Sequence, residues 1–326
     1  MTIPSDQARA ASRLDGSSGN RTVPFVRGWP VGWEQARERA HLMVRHVTEL
    51  RYSSPAEEAH TEVRKMPVDT GLQRVLTSKI DVDPPTLLGQ HRDHFGNAVH
   101  HFDLLEPHDS LRIVAESVVE TSHAVACGAE AAPDPRPARD RWAEYLYESP
   151  FVPELPEYAT VAHEVSMESD AEDFLGALEA FGATLKRGFR YEPGLTAVDS
   201  SPAEFFAKGG GVCQDFTHVA IGVLRRAGVP ARYASGYLYD PSADPEHSEL
   251  RGALASHAWA QAWHPDLGWV GLDPTNDKLV DWQYVRVAIG RDYGDVRPVR
   301  GVFRGHAAHE LWVSVEVRRL LGADFT

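Results

Sequence analysis

Only two cysteines occur in the 326 residues of the chain. One of them stands where a thiol is chemically useful. In "GGGVCQDF", Cys213 follows three glycines and opens a helical pattern. The free N–H groups and the dipole of a helix N-terminus favour an anion, here the thiolate, which is the nucleophilic form of the side chain. Glycine at Gly211 would let a substrate backbone come close to the sulfur. Further along, "HAWAQAWHPDLGWVGLDP" carries a histidine and an aspartate at matching places. Pro265, Asp266 and Gly268 are turn residues, so this stretch reads as a hairpin. With residues 264–268 as its loop, Trp263 pairs with Trp269 and Asp273 stands opposite Trp259. His257 then lies one diagonal from Asp273 on the same face, about 7–8 Å away at the backbone, within side-chain reach. A cysteine, a histidine and an aspartate in this relation suit covalent catalysis. Cys213 attacks a carbonyl, His257 takes and returns the proton, and Asp273 orients the imidazole. The backbone N–H of Cys213 is a natural oxyanion donor. Each residue alone has an ordinary structural reading; their joint placement at element ends favours the catalytic one.

The elements that must hold these groups are visible in the pattern. In "SLRIVAESVVE", Leu111, Ile113 and Ala115 alternate with Arg112 and Glu116, the period of a half-buried strand. "HFGNAVHHFDL" reads as a hairpin around Gly96 and Asn97. Residues 41–125 therefore form a β-rich N-terminal domain, after an N-terminal extension, 1–40, whose Ser/Gly/Ala-rich character predicts partial disorder. Residues 126–160, opening with the Ala/Pro-rich "ACGAEAAPDPRPARDR", read as a linker and connecting segment. A catalytic domain with C-terminal strands then occupies 161–326. Ser169 with Glu172 forms a capping-box pattern before a helix bearing Phe174, Leu175, Leu178, Phe181 and Leu185. Ser201 with Glu204, and Pro202 at the first position, open a short helix that the glycines end. Phe216, Val219, Ala220, Val223 and Leu224 form the apolar stripe of the helix that Cys213 begins, stopped by Gly228 and Pro230. The flat face of Ala258, Ala260 and Ala262 suits close packing against that helix, with His257, Trp259, Gln261 and Trp263 on the opposite face.

Hydrophobic residues make up 42% and charged residues 25% of the chain, the balance of a soluble globular protein. A net charge of −14 opposes a nucleic-acid or anionic-membrane partner. Two cysteines make no disulfide framework, no stretch has the length of a membrane span, and the first residues lack the apolar core of a signal peptide. A cytoplasmic location is the expectation.

"GVCQDFTHVAIGVLRRAGVPARYASGYL" and "SHAWAQAWHPDLGWVGLDPTND" closely resemble the bacterial transglutaminase-like family of the papain-like cysteine protease superfamily. "VTELRYSSP", "RKMPVDTGLQRV" and "DHFGNAVHHF" resemble that family's β-rich N-terminal domain, and "VAIGRDYGDVRPVRGVFRG" its C-terminal segment. The resemblance implies an α+β fold in which a Cys-bearing helix packs on an antiparallel sheet. It also implies Cys213, His257 and Asp273 as the triad, in agreement with the argument from spacing. The three glycines and the forty-residue leader depart from the family pattern. Gly211, Gln214 and Trp259 are the expected substrate contacts.

The expected activity is acyl transfer from a peptide, protein or small amide through a thioester. The acceptor is water in a protease or amidase, or an amine in a transglutaminase or an amide-forming enzyme. A binding module that keeps the fold without turnover is the alternative from another class. No cofactor or metal is expected. His91, His94, His100 and His101 lack the ligand spacing of a zinc site. Asp292 and Asp295 lack that of a calcium loop. "GGG" is not followed by the Lys-Ser/Thr of a phosphate loop. Tyr233, Tyr237 and Tyr239 read as strand packing, and Asp215 as support for the helix start.

Overall fold

The computed structural model describes residues 39–126, 137–162, 170–241, 256–305 and 308–321. Six strands come first: β1 (Arg39–Ala56), β2 (Glu58–Met66), β3 (Gln73–Asp83), β4 (Gly89–Arg92), β5 (Ala98–Leu104) and β6 (His108–Ser122). Short helices α1 (Ala138–Arg141) and α2 (Glu157–Val161) lead to α3 (Ala171–Gly188) and β7 (Arg190–Tyr191). Next are α4 (Pro202–Lys208), β8 (Gly210–Gly211), α5 (Cys213–Arg226), β9 (Ala231–Leu238) and β10 (His257–His264). The chain continues through β11 (Gly268–Asp273), β12 (Lys278–Leu279), β13 (Tyr284–Gly290) and α6 (Tyr293–Val296), and ends in β14 (Val299–Arg304) and β15 (His309–Leu320).

The N-terminal strands form two four-stranded sheets, ordered β15-β1-β6-β3 and β14-β2-β5-β4. Alternation builds the core between them. Leu111 and Ile113 of β6 meet Ala59 and Val63 of β2 and Phe102 of β5, all buried. Gly96, at φ 81°, makes the turn between β4 and β5 that its sequence predicts. The third sheet, antiparallel and ordered β12-β11-β10-β9-β13, carries α5 on the face of Ala258, Ala260 and Ala262. The α+β class holds, with a β-rich N-terminal part and a helix-on-sheet core.

Three sequence expectations need correction. The C-terminal strands do not stay with the catalytic core. β14 pairs with β2 and β15 with β1, so the end of the chain completes the N-terminal sheets. A strand finds its partner through tertiary approach, which chain order does not encode. The connecting segment is more than a surface linker. Tyr145, Val152 and Tyr158 within it are buried, and a Cβ on Gly222 of α5 would lie 2.3 Å from the Tyr158 ring. Its aromatic residues outweigh its Ala/Pro composition. At the start of α3 the cap is Asp170, whose side chain accepts from the N–H groups of Glu172 and Asp173, both at 3.0 Å. Ser169 lies outside the described residues, as does Cys127.

Candidate active site

Helix α5 begins where it does for local reasons. Ser201 caps α4 by accepting from Glu204 N–H at 3.3 Å, and Gly209 ends that helix at φ 70°. Gly210 and Gly211 then form β8 beside Arg190 and Tyr191. A Cβ on Gly210 would lie 2.1 Å from Arg190 O, and one on Gly211 2.4 Å from Asp215 Oδ2. Close approach of the protein's own chain, rather than room for substrate, therefore accounts for glycine at both positions. Asp215, in the first turn of α5, accepts from Val212 N–H at 2.8 Å and from the Thr196 hydroxyl at 2.6 Å. Val212 precedes the helix and has no side-chain acceptor; its carbonyl accepts from Asp215 N–H at 2.9 Å and Phe216 N–H at 3.1 Å. The N–H of Cys213 has no hydrogen-bond partner among the described residues. Cys213 itself is a free, half-buried thiol.

Strand β10 begins at His257. Its register with β11 pairs Trp263 with Trp269 and Ala260 with Leu272, the register that the turn residues predict. His257 Nε2 donates to Asp273 Oδ2 at 2.7 Å, with both side chains fully buried. Nδ1, the other ring nitrogen, is buried, has no other partner among the described residues and is left to the neighbouring Cys213 thiol. Burial disfavours a charged imidazole, but the Asp273 carboxylate outweighs it, Cys213 acts in the same direction, and the His257 pKa is raised.

Asp273 is anchored on both oxygens. Oδ1 accepts from Thr275 N–H (3.0 Å), the Thr275 hydroxyl (2.5 Å) and Asn276 N–H (3.2 Å). Besides His257, Oδ2 accepts from the Asn276 amide and the Tyr284 hydroxyl, each at 2.7 Å. Burial opposes the charge here too. His257 and these donors overcome it and hold the carboxyl well below the usual carboxylate range. An ionised carboxylate can only accept, and every neighbour named donates.

The sequence did not single out Thr275, Asn276 or Tyr284. Thr275 and Asn276 directly follow Asp273 in "DPTN", a recognisable side-chain turn signal. Tyr284 arrives from β13, two strands beyond β10, and no spacing announces it. Of the expected substrate contacts, Gln214 is partly exposed and donates to Val198 O at 2.8 Å. Trp259 is 1% exposed; its ring lies 5.3 Å from Tyr284 and 6.4 Å from His257, on the sheet face away from α5. It backs the imidazole instead of lining an open cleft. The histidines of the N-terminal region do not converge. His91 and His101 face each other with rings 5.5 Å apart, while His94 turns to Glu144 at 3.0 Å. Asp292 caps α6 by accepting from Gly294 N–H at 2.8 Å, and Asp295 pairs with Arg291 at 2.9 Å. Among the described residues no three His, Cys, Asp or Glu side chains are grouped to hold a metal.

A buried His–Asp pair at the start of a strand, beside a thiol at the start of a helix, is the arrangement of papain-like cysteine enzymes. Residues 160–274 match the model of the transglutaminase-like superfamily, and residues 42–120 match that of the bacterial transglutaminase-like N-terminal region. The chain belongs to this bacterial transglutaminase-like family. An uncharacterized protein of Mycobacterium leprae is 34% identical over 294 residues, covering 86% of this chain and 99% of the relative. A protein-glutamine gamma-glutamyltransferase of Pseudomonas aeruginosa is 33% identical over 97 residues, 30% of this chain and 14% of that protein. Among solved structures, a proposed cysteine protease from Cytophaga hutchinsonii superposes with a TM-score of 0.66 at 20% identity, covering 89% of this chain and 93% of that one. That likeness is one of fold.

Proposed function

We propose that the protein is a cysteine-dependent enzyme that opens an amide bond and holds the acyl group as a thioester on Cys213. The buried 2.7 Å bond from His257 to Asp273, with the second imidazole nitrogen left to the Cys213 thiol, is the observation that carries this reading. In the first half-reaction His257 accepts the thiol proton and the sulfur adds to the amide carbon. The unpartnered N–H of Cys213 is available to the oxyanion. The tetrahedral intermediate collapses, the C–N bond breaks, and the imidazolium gives its proton to the departing amine. In the second half-reaction water or an amine attacks the thioester, His257 takes the incoming proton, and the thiolate leaves. Asp273 stabilises the imidazolium throughout and stays ionised. The substrate is a peptide, protein or small amide, and no metal or organic cofactor takes part.

Rapid mixing with a p-nitrophenyl ester tests the first half-reaction. A burst of nitrophenolate, with the acyl mass located on Cys213, is the expected result; no acyl mass on Cys213 overturns the proposal. Adding a primary amine then separates the two acceptors, since the amide accumulates in an acyltransferase and the free acid in a hydrolase. Chelator treatment leaves both rates unchanged; a loss that one defined metal restores would contradict the cofactor-free mechanism.

A further inference from the structure

A cavity of about 400 Å³ lies between the two N-terminal sheets. A packed protein interior leaves few voids larger than a water molecule, and this volume is in the range of small-molecule sites. On β1 the lining runs from His46 through Thr48 and Leu50 to Tyr52, about 20 Å of strand. Leu111, paired with Leu50, and Phe303, whose ring lies 5.1 Å from that of Tyr52, make this half apolar. The β15 register sets Leu311 opposite Leu50 and Val313 opposite Thr48. Directly opposite residues of an antiparallel pair share a face, so both point with their partners toward the cavity, which they line. They are nonetheless 61% and 43% exposed. The cavity therefore opens to solvent between the edge strands β14 and β15, with apolar side chains at its mouth.

The inner end carries a lysine. The inward positions of β2 run Ala59, Thr61, Val63, Lys65, and Lys65, which lines the cavity, is 2% exposed. Its ammonium donates to His46 Nε2 at 2.9 Å and to the Thr48 hydroxyl. His46 donates from Nδ1 to the Tyr237 hydroxyl at 2.9 Å, which leaves Nε2 as the acceptor. An ammonium has three donors, and these two neighbours use two. Burial, helped by the charge of Lys65, lowers the His46 pKa to about 3, so this partner is neutral. Burial also lowers Lys65 itself, to about 7, and no carboxylate among the described residues acts against it. A buried cation held only by neutral groups is destabilising, and an anion beside it favours the charged form.

We propose that this cavity binds a fatty acid, with the carboxylate on Lys65 and the alkyl chain running past Leu50 toward Leu311. Both halves of the ligand follow from the lining. The walls are faces of sheets whose backbone N–H and C=O groups pair within the ladders, so they offer a peptide's amides no partners. An alkyl chain needs none, and it covers the exposed side chains at the mouth. The ligand is held and not converted, because neither Cys213 nor His257 lines the cavity. The site stands independently of acyl transfer.

Calorimetric titration of the full chain with straight-chain carboxylates, from hexanoate to dodecanoate, tests this, each beside the primary alcohol of equal length. Affinity should rise with chain length. Each carboxylate should bind at least about tenfold tighter than its alcohol, the scale of one charge-assisted hydrogen bond. Lys65→Met brings that ratio to near one while the alcohols stay within about twofold of their wild-type affinity. Lys65→Gln, which keeps a donor for His46 and Thr48, replaces it if the methionine variant does not fold. Leu50→Trp fills part of the apolar half, and should weaken dodecanoate by about tenfold or more and hexanoate least. No binding at any length, equal affinity for carboxylate and alcohol, or a carboxylate preference that survives in the Lys65 variant overturns the proposal. So does wild-type affinity of Leu50→Trp for every chain length, since the alkyl chain then lies elsewhere.

Discussion

At the scale of single residues, the site works through what each atom has left to bond. Asp273 spends both oxygens on donors, so its part is to fix the imidazole and hold its charge. Cys213→Ala is expected to abolish acyl-enzyme formation. His257→Ala should slow it by about a thousandfold or more. Asp273→Asn should give a folded protein with the wrong imidazole tautomer and a loss of about a hundredfold or more. The double variant His257→Ala/Asp273→Asn should be little slower than His257→Ala, because nothing remains to orient. Single-turnover acylation measures all four, and multiplicative losses in the double variant would separate Asp273 from the mechanism. The pair also sets a pH dependence of stability. His257 is raised from 6.5 to about 10, so its contribution is complete below pH 6.5 and is lost as pH rises through 10. Asp273 is depressed from 3.8, so its contribution is complete above that pH and is lost only in strong acid. Thermal melts should therefore show wild-type stability declining from pH 7 to 10, and a flatter profile for His257→Ala. Identical slopes would contradict the assigned coupling.

At the scale of elements, reactivity sits where two of them begin. In the proposed mechanism the first residue of α5, Cys213, is the nucleophile and the first residue of β10, His257, is the base. The glycines belong to this positioning. Gly211 leaves the space that the Asp215 carboxylate fills, and that carboxylate holds Val212 N–H and Thr196. Asp215→Ala is expected to cost about 1–3 kcal/mol, the price of leaving a buried donor unpaired. Asp215→Asn should recover most of it. Gly211→Ala should cost about 1–3 kcal/mol through overpacking. Because both act on one contact, the double variant Gly211→Ala/Asp215→Ala should be less destabilised than the sum of the two. Denaturant melts give the four values, and strict additivity would mean that the glycine serves something other than Asp215.

At the scale of the whole molecule, the N-terminal sheets do more than flank the core. Strand β13 is an edge of the catalytic sheet, and an uncovered edge offers unpaired backbone groups. Two side-chain amides close it. Gln73 donates to Arg286 O at 2.7 Å and accepts from Arg286 N–H at 2.8 Å; Asn97 does the same for Ile289 at the same two distances. Each acts as one rung of a missing strand. With β14 and β15 returning to the N-terminal sheets, the chain ties its two halves together at both ends. The wild type should unfold in one calorimetric transition. Gln73→Ala/Asn97→Ala should lower the midpoint and resolve two transitions, each lost amide costing about 1–3 kcal/mol. A single unshifted transition would show that these rungs do not couple the halves.

Local signals determined much of this protein. Period-two alternation marked β6, the turn residues Pro265, Asp266 and Gly268 set the β10–β11 register, and the apolar stripe from Phe216 to Leu224 marked α5. That register alone placed His257 within reach of Asp273, because hairpin pairing depends on loop length and not on distant chain. Tertiary structure decided what long-range approach controls. Tyr284 reaches Asp273 from another strand, Tyr158 packs against Gly222 from a segment that reads as linker, and β15 leaves its sequence neighbours to pair with β1. Lys65 shows the division most sharply. Alternation places it on the inward face of β2, but only the folded molecule puts it in a cavity that Ser256, the residue before His257, also lines, since that cavity is walled by strands from both ends of the chain.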